Sequence, residues 1–258
     1  MLYRFCLALI MILVGCFPAL AQSRPSECLA IAEGAARVHL ANLKPDEVSI
    51  AYVGHSTFLI ETVTGIRAAT DFNGFAGGAV PDVVTMNHAH GSHFTETPDP
   101  AIKHVLRGWG VDGKRAEHDV TIADLRIRNV TTDIRGGNFG RQTDGNSIFI
   151  FEAAGLCIGH LGHLHHELSP EHMGWIGRLD VVMVPVDGGM TLPVENMMAV
   201  LKQIRSRVIL PMHFVREGSL DRFLTAARKE FKVEYAKESP LVVSAATLPN
   251  EPTVFVLP

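Results

Sequence analysis

A short apolar strand that runs directly into three histidines decides the fold of this chain. The segment reads Asp82-Val-Val-Thr-Met-Asn-His88-Ala-His90-Gly-Ser-His93. A cluster of histidines this dense is rare by chance, and imidazole is the commonest nitrogen ligand for zinc and related metals in proteins. We therefore expect His88, His90 and His93 to bind a metal ion at the end of a buried strand.

Two further segments place histidines after predicted strands. His160-Leu-Gly-His163-Leu-His165-His166 follows one strand, and Val208-Ile-Leu-Pro-Met-His213 ends in a histidine. Ligands of α/β sheets bind outside the carboxyl ends of the strands, so the histidines of all three segments are expected to converge. A histidine-rich tract without a specific ligand is the alternative for residues 160–166. The isolated histidines are interpreted as ordinary hydrogen-bonded residues: His39, His104, His118 and His172.

Composition excludes several classes of protein and of function. The chain has 258 residues, a net charge of −4, 47% hydrophobic and 19% charged residues, which is typical of a globular protein. No run of basic residues exceeds two, so the sequence lacks the clustered positive charge of a nucleic-acid-binding surface. It also lacks the Gly-x-Ser-x-Gly, P-loop and Gly-x-Gly-x-x-Gly motifs, so nothing supports a serine triad or a nucleotide cofactor.

Periodicity predicts strand hairpins in the first half of the chain and alternating strands and helices in the second. The predicted strands are Val48–Val53, Thr57–Thr62, Gly65 to near Asp71, Asp82–Met86, a hairpin over Val120–Val130, Ser147–Glu152, Leu156–Ile158, Asp180–Pro185 and Val208–Leu210. The predicted helices are Pro25–Leu40, Pro170–Ile176, Pro193–Ile204 and Ser219–Phe231. The glycine-containing segment Asp133–Asp144 is predicted to be a mobile polar loop. Two sheets with helices outside them, in one domain over residues 22–258, are the simplest arrangement.

The first 21 residues are interpreted as a secretory signal peptide. Arg4 precedes the apolar run Phe5–Leu20, which is short for a membrane span, and small residues allow cleavage after Ala21. The tetrapeptide that ends at Cys16 resembles a bacterial lipobox, so an N-terminus lipidated at Cys16 is the alternative. We therefore expect a periplasmic or secreted protein that begins at Gln22 and has no membrane span.

Two cysteines remain after removal of this signal peptide, Cys28 and Cys157. They are too few for a disulfide framework, and their spacing matches no zinc motif. A single disulfide and two free thiols are both open for an exported chain.

The spacing His88-x-His90-x-x-His93 resembles the metal-binding motif His-x-His-x-Asp-His of the metallo-β-lactamase-fold hydrolases. The segments 52–61 and 69–71 resemble the opening strands of that family, and more specifically of its ascorbate-6-phosphate-lactonase-like branch. Gly145-Asn146, residues 160–166 and residues 210–213 fall where that branch has its later motifs. The resemblance implies a four-layer αββα sandwich with a metal site at one edge. It also implies a hydrolase in which metal-bound hydroxide attacks an ester, lactone, amide or phosphoester of a small-molecule substrate.

The sequence departs from the family at both acidic ligand positions. Ser92 replaces the aspartate of the first motif, and His163 replaces the aspartate that bridges two metal ions in the branch. The family's middle histidine, expected near residues 130–133, is replaced by Thr132 or absent, and Asp133 is a candidate substitute. Because a neutral imidazole offers one lone pair to one metal, we expect one ion per chain. Imidazole ligation suits zinc, although other divalent transition metals accept it.

The resemblance also implies roles for single residues. The expected metal ligands are His88 and His90 from one loop, His93 from the start of a helix just after it, and His163 and His213. Asp71 is expected to accept a hydrogen bond from a ligand histidine and so to fix the position of its proton, with a turn cap together with Asn73 as the alternative. His55 and His166 are the catalytic candidates, as substrate contacts or proton carriers.

The substrate is left open, because the predicted pocket loops at 72–80, 133–144 and 187–192 carry no readable specificity motif. A rival function is a non-catalytic metal- or ligand-binding protein that retained the fold. Replacement of both acidic ligand positions is the feature that favours this rival.

Overall fold

The computed structural model describes Cys28 and residues 43–136, 140–214 and 218–258. The predicted signal peptide at 1–21, the start at Gln22, the lipobox at Cys16 and all of the predicted helix 25–40 except Cys28 lie outside the described residues. The strands are β1 Glu47–Gly54, β2 Thr57–Glu61, β3 Arg67–Ala69, β4 Val83–Met86, β5 His104–Arg107, β6 Asp119–Ile122, β7 Leu125–Arg135, β8 Arg141–Ala153, β9 Leu156–His160, β10 Val181–Pro185, β11 Val208–Met212, β12 Lys232–Tyr235, β13 Leu241–Ser244 and β14 Thr253–Val256. The helices are α1 Pro170–Ile176, α2 Val194–Ile204 and α3 Ser219–Ala227.

The first half of the chain supplies five strands of a six-stranded sheet, and β13 joins them from near the C-terminus, in the order β13-β1-β2-β3-β4-β5. Strands β1, β2 and β3 pair in antiparallel fashion, and β3, β4 and β5 run parallel. Ile50 of β1 pairs with Ile60 of β2, and both side chains are fully buried. Since successive side chains point to opposite faces of a strand, this register turns one apolar face of the sheet inward.

Strands β6 to β12, together with β14, build an eight-stranded sheet in the order β12-β14-β11-β10-β9-β8-β7-β6. Its strands β9, β10, β11, β14 and β12 run parallel, and the helices α1, α2 and α3 connect β9 to β12. Helix α1 begins at Pro170 because Ser169 forms a capping box with His172. The predicted alternation of strands and helices is therefore confirmed.

Three apolar clusters hold the layers together. One lies between the sheets and includes Phe58 of β2 and Phe149 of β8, both fully buried. A second joins the helices to the outer face of the larger sheet, with Met197 and Phe223 among its members. A third covers the outer face of the smaller sheet, where loop residues such as Phe72 pack within the described part of the chain. Two sheets packed face to face confirm the predicted sandwich, and the described helices lie on the outer face of the larger sheet.

Four local predictions were wrong or incomplete. Residues 133–135 and 141–144 of the segment Asp133–Asp144 are strand rather than loop, because β7 and β8 extend until Arg135 pairs with Arg141. His93 lies in a turn and not at a helix start. Helix α3 ends at Ala227, where tighter turns replace the helical hydrogen bonds. Strands β5, β12, β13 and β14 were missed, since strands this short carry little periodic signal.

A disulfide joins Cys28 to Cys157 of β9, with Cα atoms 5.7 Å apart. The alternative of two free thiols is thereby excluded. The bond attaches the chain before β1 to the centre of the larger sheet, where the Arg178 N–H also donates to the carbonyl oxygen of Cys28 at 3.0 Å. Among the described residues, no helix combines the length and apolarity required to span a bilayer.

Candidate metal centre

Most of the predicted site residues meet at one edge of the sandwich, beyond the carboxyl ends of the strands. His88 follows β4, Asp71 follows β3, His163 follows β9 and His213 follows β11. His55 joins them from the turn between β1 and β2. The two sheets thus each supply imidazoles to one edge, as expected for α/β architecture.

His55, His93 and His213 form the tightest group. One ring nitrogen of each lies within 4.8 Å of the others, and we refer to these three residues as the histidine triad. The rings of His93 and His213 stack with an interplanar angle of 9°. Within the described part of the chain, the Nε2 atoms of His55 and His93 are buried and have no hydrogen-bond partner. The triad therefore brings three ring nitrogens close enough together to hold one metal ion.

Asp71 holds His93 in place from directly behind it. Its Oδ2 lies 2.5 Å from Nδ1 of His93, and its Oδ1 accepts the backbone N–H of Asn87 at 3.1 Å. Burial alone would raise the pKa of the Asp71 carboxyl, but the His93 imidazole and these hydrogen bonds outweigh burial and lower that pKa. A carboxylate at this position accepts from Nδ1–H and leaves the lone pair of His93 on Nε2. The described partners of the Asp71 carboxylate are thus His93 and Asn87 rather than Asn73.

Asp187 holds His213 in the same way. Its Oδ1 lies 3.0 Å from Nδ1 of His213 and also accepts the Thr191 hydroxyl at 2.5 Å, while Oδ2 accepts the Gly189 N–H at 2.9 Å. Burial opposes ionisation of Asp187, but these hydrogen bonds outweigh it and lower its pKa. Sequence reasoning placed Asp187 only at the start of a pocket loop. Its position just after a buried strand, like that of the histidines, was the available signal.

The backbone at the site adopts left-handed conformations at three residues that are not glycine. The φ angles are 51° at His55, 46° at Asp71 and 57° at His213. Histidine and aspartate tolerate this region better than most residues, and such conformations concentrate at functional sites. At His55 and His213 they accompany a 2.7 Å hydrogen bond from the His213 N–H to the His55 carbonyl oxygen, which ties the smaller sheet to the larger one.

His88 and His90 lie beside the triad rather than within it. The Nδ1 of His88 lies 2.8 Å from the Gly145 carbonyl oxygen, so Nδ1 carries the proton and the lone pair is on Nε2. Its ring centroid lies 6.0 Å from that of His93. His90 is exposed, and its Nδ1 lies 2.9 Å from Oγ of Ser92. Ser92, at the position where the motif of the resembling family has an aspartate, therefore contacts the predicted ligand His90.

His163 lies in the middle of a larger histidine cluster, whose members are His55, His88, His90, His93, His163, His165 and His213. Its ring centroid is 4.8 Å from that of His93, 5.0 Å from His213 and 5.1 Å from His88. Its Nδ1 lies 2.6 Å from Nε2 of His165. His166 is more remote: the described ring contact is with His165, at 6.5 Å between centroids, and its Nε2 is buried without a partner in the described residues.

The candidate substitutes for the family's middle histidine are engaged elsewhere. The Thr132 hydroxyl oxygen accepts a hydrogen bond from the Asn146 side-chain amide at 2.8 Å. Oδ1 of Asn146 in turn accepts the backbone N–H of His163 at 2.7 Å. Asp133 forms an ion pair with Arg141. Both residues thus brace the loops of the site and direct no free oxygen at the cluster.

His160 is structural rather than ligating, because both of its ring nitrogens are used. Its Nε2 donates to the Ser56 carbonyl oxygen at 2.8 Å, and its Nδ1 accepts from the Asn87 amide and the Gly162 N–H, each at 3.1 Å. The buried ring pins Ser56, the turn residue that follows His55, to the end of β9. His160 therefore differs from His163 of the same tract, whose ring lies among the clustered histidines.

Several imidazoles of the cluster are neutral at physiological pH. Burial, followed by the neighbouring His213 and His93, lowers the pKa of His55 to about 4. Burial and Arg135 lower the pKa of His165 to about 4. Burial is likewise the main cause of the lowered pKa values of His88 and His163. Neutral imidazole is the form that binds metal ions, so no proton has to leave these rings first.

A cavity of about 420 Å³ lies elsewhere, against β6, β7 and α1. Its lining includes Arg115, which lies 5.7 Å above the Trp175 ring, and the partly exposed Asp119. None of the clustered histidines lines this cavity. Its size alone does not make it the site: the hydrogen bond from Arg126 lowers the pKa of Asp119 there, as an ordinary ion pair does.

Comparison with known proteins identifies the family. A family model described as a beta-lactamase superfamily domain matches residues 49–213. A UPF0173 protein from Pyrococcus furiosus is 26% identical over 79% of this chain and 98% of its own length. A UPF0173 metal-dependent hydrolase from Salinibacter ruber is 24% identical over 71% of this chain and 92% of its own.

A solved structure agrees with these relatives. A candidate Zn-dependent hydrolase of the metallo-β-lactamase superfamily from Thermotoga maritima has a TM-score of 0.59 and 26% identity, covering 81% of this chain and 98% of that one. The family resemblance predicted from the histidine motifs is thereby confirmed. The protein is a member of the β-lactamase superfamily domain family.

Proposed function

We propose that this protein is a metal-dependent hydrolase that cleaves an ester, lactone, amide or phosphoester bond. The observation that carries the proposal is the convergence of His55, His93 and His213, whose ligand atoms lie within 4.8 Å of one another. Membership of the family, and the metal-dependent hydrolases among the relatives, support it.

The histidine triad fits a divalent transition metal. The Nε2 atoms of His55 and His93 are buried without partners in the described residues, and a buried polar atom is costly unless something meets it. His93 and His213 each have a carboxylate on Nδ1, which is the usual support of a metal-ligating histidine. We propose zinc as the ion, because nitrogen ligation by neutral imidazole suits it well.

Under this proposal the tight site differs from the predicted ligand set of His88, His90, His93, His163 and His213. His93 and His213 remain, and His55 joins them although the sequence suggested a catalytic role for it. His88, with its lone pair on Nε2, is available as a further ligand, and the exposed His90 is available for a weaker second ion.

A bound divalent cation polarises a carbonyl or phosphoryl oxygen and lowers the pKa of coordinated water. The chain supplies the positioning. Asp71 and Asp187 hold His93 and His213 with their lone pairs toward the site, and the hydrogen bond from His213 to the His55 carbonyl oxygen fixes the third member.

We propose that one ion is held tightly. Two divalent ions at close range repel, and anionic oxygens shared between them normally offset that repulsion. The carboxylates nearest to the triad, Asp71 and Asp187, already hold histidine Nδ1 atoms and backbone N–H groups. Ser92 and His163 occupy the positions at which the family supplies the remaining acidic ligands.

Turnover by metal-loaded protein tests the function. Protein stripped by a chelator and reloaded with zinc is assayed on a panel of lactones, esters, amides and phosphodiesters, and turnover should require the metal. His93→Ala should lose both zinc and turnover, whereas His118→Gln, outside the cluster, should keep both. Retained zinc without turnover of any substrate would instead support the non-catalytic binding protein.

We also propose that the protein acts outside the cytoplasm. The support is the N-terminal signal sequence, with cleavage after Ala21. The intact mass of exported protein tests this: a chain that begins at Gln22 is expected, and a diacylglyceryl group on Cys16 would establish the lipoprotein alternative.

A further inference from the structure

His163 occupies the position of a bridging aspartate in the related branch, yet its hydrogen bonds assign it a different task. The relevant chain of contacts runs from Arg135 through His165 to His163. In each of these two hydrogen bonds, the donor and the acceptor follow from which nitrogen can carry a proton.

The first link fixes the proton of His165. The backbone N–H of Arg135 points at Nδ1 of His165, with 2.8 Å between the nitrogens. A backbone N–H can only donate, so Nδ1 of His165 must be an acceptor without a proton. A neutral imidazole without a proton on Nδ1 carries it on Nε2.

The second link passes this constraint to His163. Nε2 of His165 lies 2.6 Å from Nδ1 of His163, within ordinary hydrogen-bond distance. Because His165 carries its proton on Nε2, it is the donor and Nδ1 of His163 is the acceptor. His163 must then carry its own proton on Nε2. This nitrogen offers an N–H group and no lone pair.

Three other histidines of the cluster have the opposite arrangement. His93, His213 and His88 place their Nδ1 atoms against carboxylate or carbonyl oxygens, which keeps their lone pairs on Nε2. His163 is also outside the triad whose ligand atoms converge among the described residues. His163, with its proton on Nε2, thus lies among histidines that keep their lone pairs on Nε2.

We propose that His163 is not a metal ligand but a neutral hydrogen-bond donor, whose Nε2–H stabilises the oxygen that gains negative charge as the substrate is cleaved. This inference rests on the proposed hydrolase function. A fixed donor aimed at developing negative charge is a large contributor to acyl- and phosphoryl-transfer catalysis. A neutral imidazole suits the task because it donates without bringing a positive charge beside a cation. His165 is a positioning residue, since it acts only by keeping the proton of His163 on Nε2.

Imidazole NMR of the zinc-loaded protein tests the protonation directly and without substrate. Long-range 1H–15N correlation spectra should show His163 protonated on Nε2 and unprotonated on Nδ1. In His165→Phe the constraint is removed, so a population of His163 with the proton on Nδ1 should appear. His118→Gln, outside the cluster, should leave the His163 signals unchanged. An unprotonated or zinc-bound Nε2 on His163 in the parent protein would overturn the inference.

Metal content and turnover test the role. In His163→Ala, retained zinc per chain should be unchanged, while kcat should fall by about 10²–10³-fold, as expected for loss of one oxyanion donor. His163→Gln keeps an N–H donor and should recover part of kcat. Loss of zinc in His163→Ala, or an unchanged kcat, would refute the donor role. If the parent protein turned over no substrate, the proposed hydrolase function would fail, whereas the protonation of His163 would still be decided by the spectra.

Discussion

Asp71→Asn is the substitution that most sharply tests how the site is held. Aspartate and asparagine have nearly the same shape, but the amide has one acceptor oxygen in place of two. In the parent protein, Oδ1 of Asp71 accepts the Asn87 N–H at 3.1 Å and Oδ2 lies 2.5 Å from Nδ1 of His93. Either orientation of the amide therefore sets its NH₂ group against one of these two donors.

The expected magnitude follows from that conflict. One buried donor loses its partner, which costs about 1–3 kcal/mol of unfolding free energy. The conflict is relieved if His93 accepts from the amide and moves its own proton to Nε2, but the lone pair that faces the triad is then lost. Zinc affinity should therefore fall by roughly 10–100-fold, the usual effect of removing a carboxylate behind a ligand histidine.

Competition against a chromophoric zinc chelator measures the affinity, and urea unfolding of the metal-free protein measures the stability. The matched control is Asp82→Asn, just before β4 and at the end of that strand away from the histidines. Its carboxylate accepts the backbone N–H of Arg67, and among the described residues it has no hydrogen bond with a histidine ring. That variant should bind zinc normally. A folded Asp71→Asn protein with unchanged zinc affinity would refute the reasoning.

Three further outcomes are expected. After dialysis, elemental analysis should find one zinc per chain, and His163→Asp should raise the retained metal toward two; two equivalents in the parent protein would contradict the mononuclear site. The metal-free protein should lose stability as pH falls from 6.5 toward 4, because His55 takes up a proton at the ordinary pKa of 6.5 in the unfolded chain but only at about 4 in the folded one. Urea unfolding across this range should show that His55 contributes a loss of about 1–3 kcal/mol after allowance for solvent screening, and an unfolding free energy that does not change with pH would contradict this expectation. Reduction of the Cys28–Cys157 disulfide, which links positions 129 residues apart, should lower the unfolding free energy by about 2–4 kcal/mol, and an unchanged thermal midpoint with reductant would contradict that expectation.

Much of the site could be predicted from the sequence because its residues obey local rules. A buried apolar run followed by clustered histidines indicates a strand end that carries ligands, and this placed His88, His90 and His93 at one edge of the fold. The same rule placed His213 there, although four short strands and the long β7–β8 ribbon escaped it. Residue type and periodicity indicate where a strand ends and which side chains follow it, because strand formation depends mainly on residues that are neighbours along the chain.

Only the tertiary structure decided which nitrogen of each histidine is free. His93 depends on Asp71, 22 residues away, His213 on Asp187, 26 residues away, and His165 on the backbone of Arg135, 30 residues away. The position of a proton on an imidazole ring is set by the partner of its other nitrogen, and here the partners arrive from different strands. Sequence therefore determined that histidines would gather, whereas three-dimensional contacts determined which of them offer a lone pair and which offers a proton.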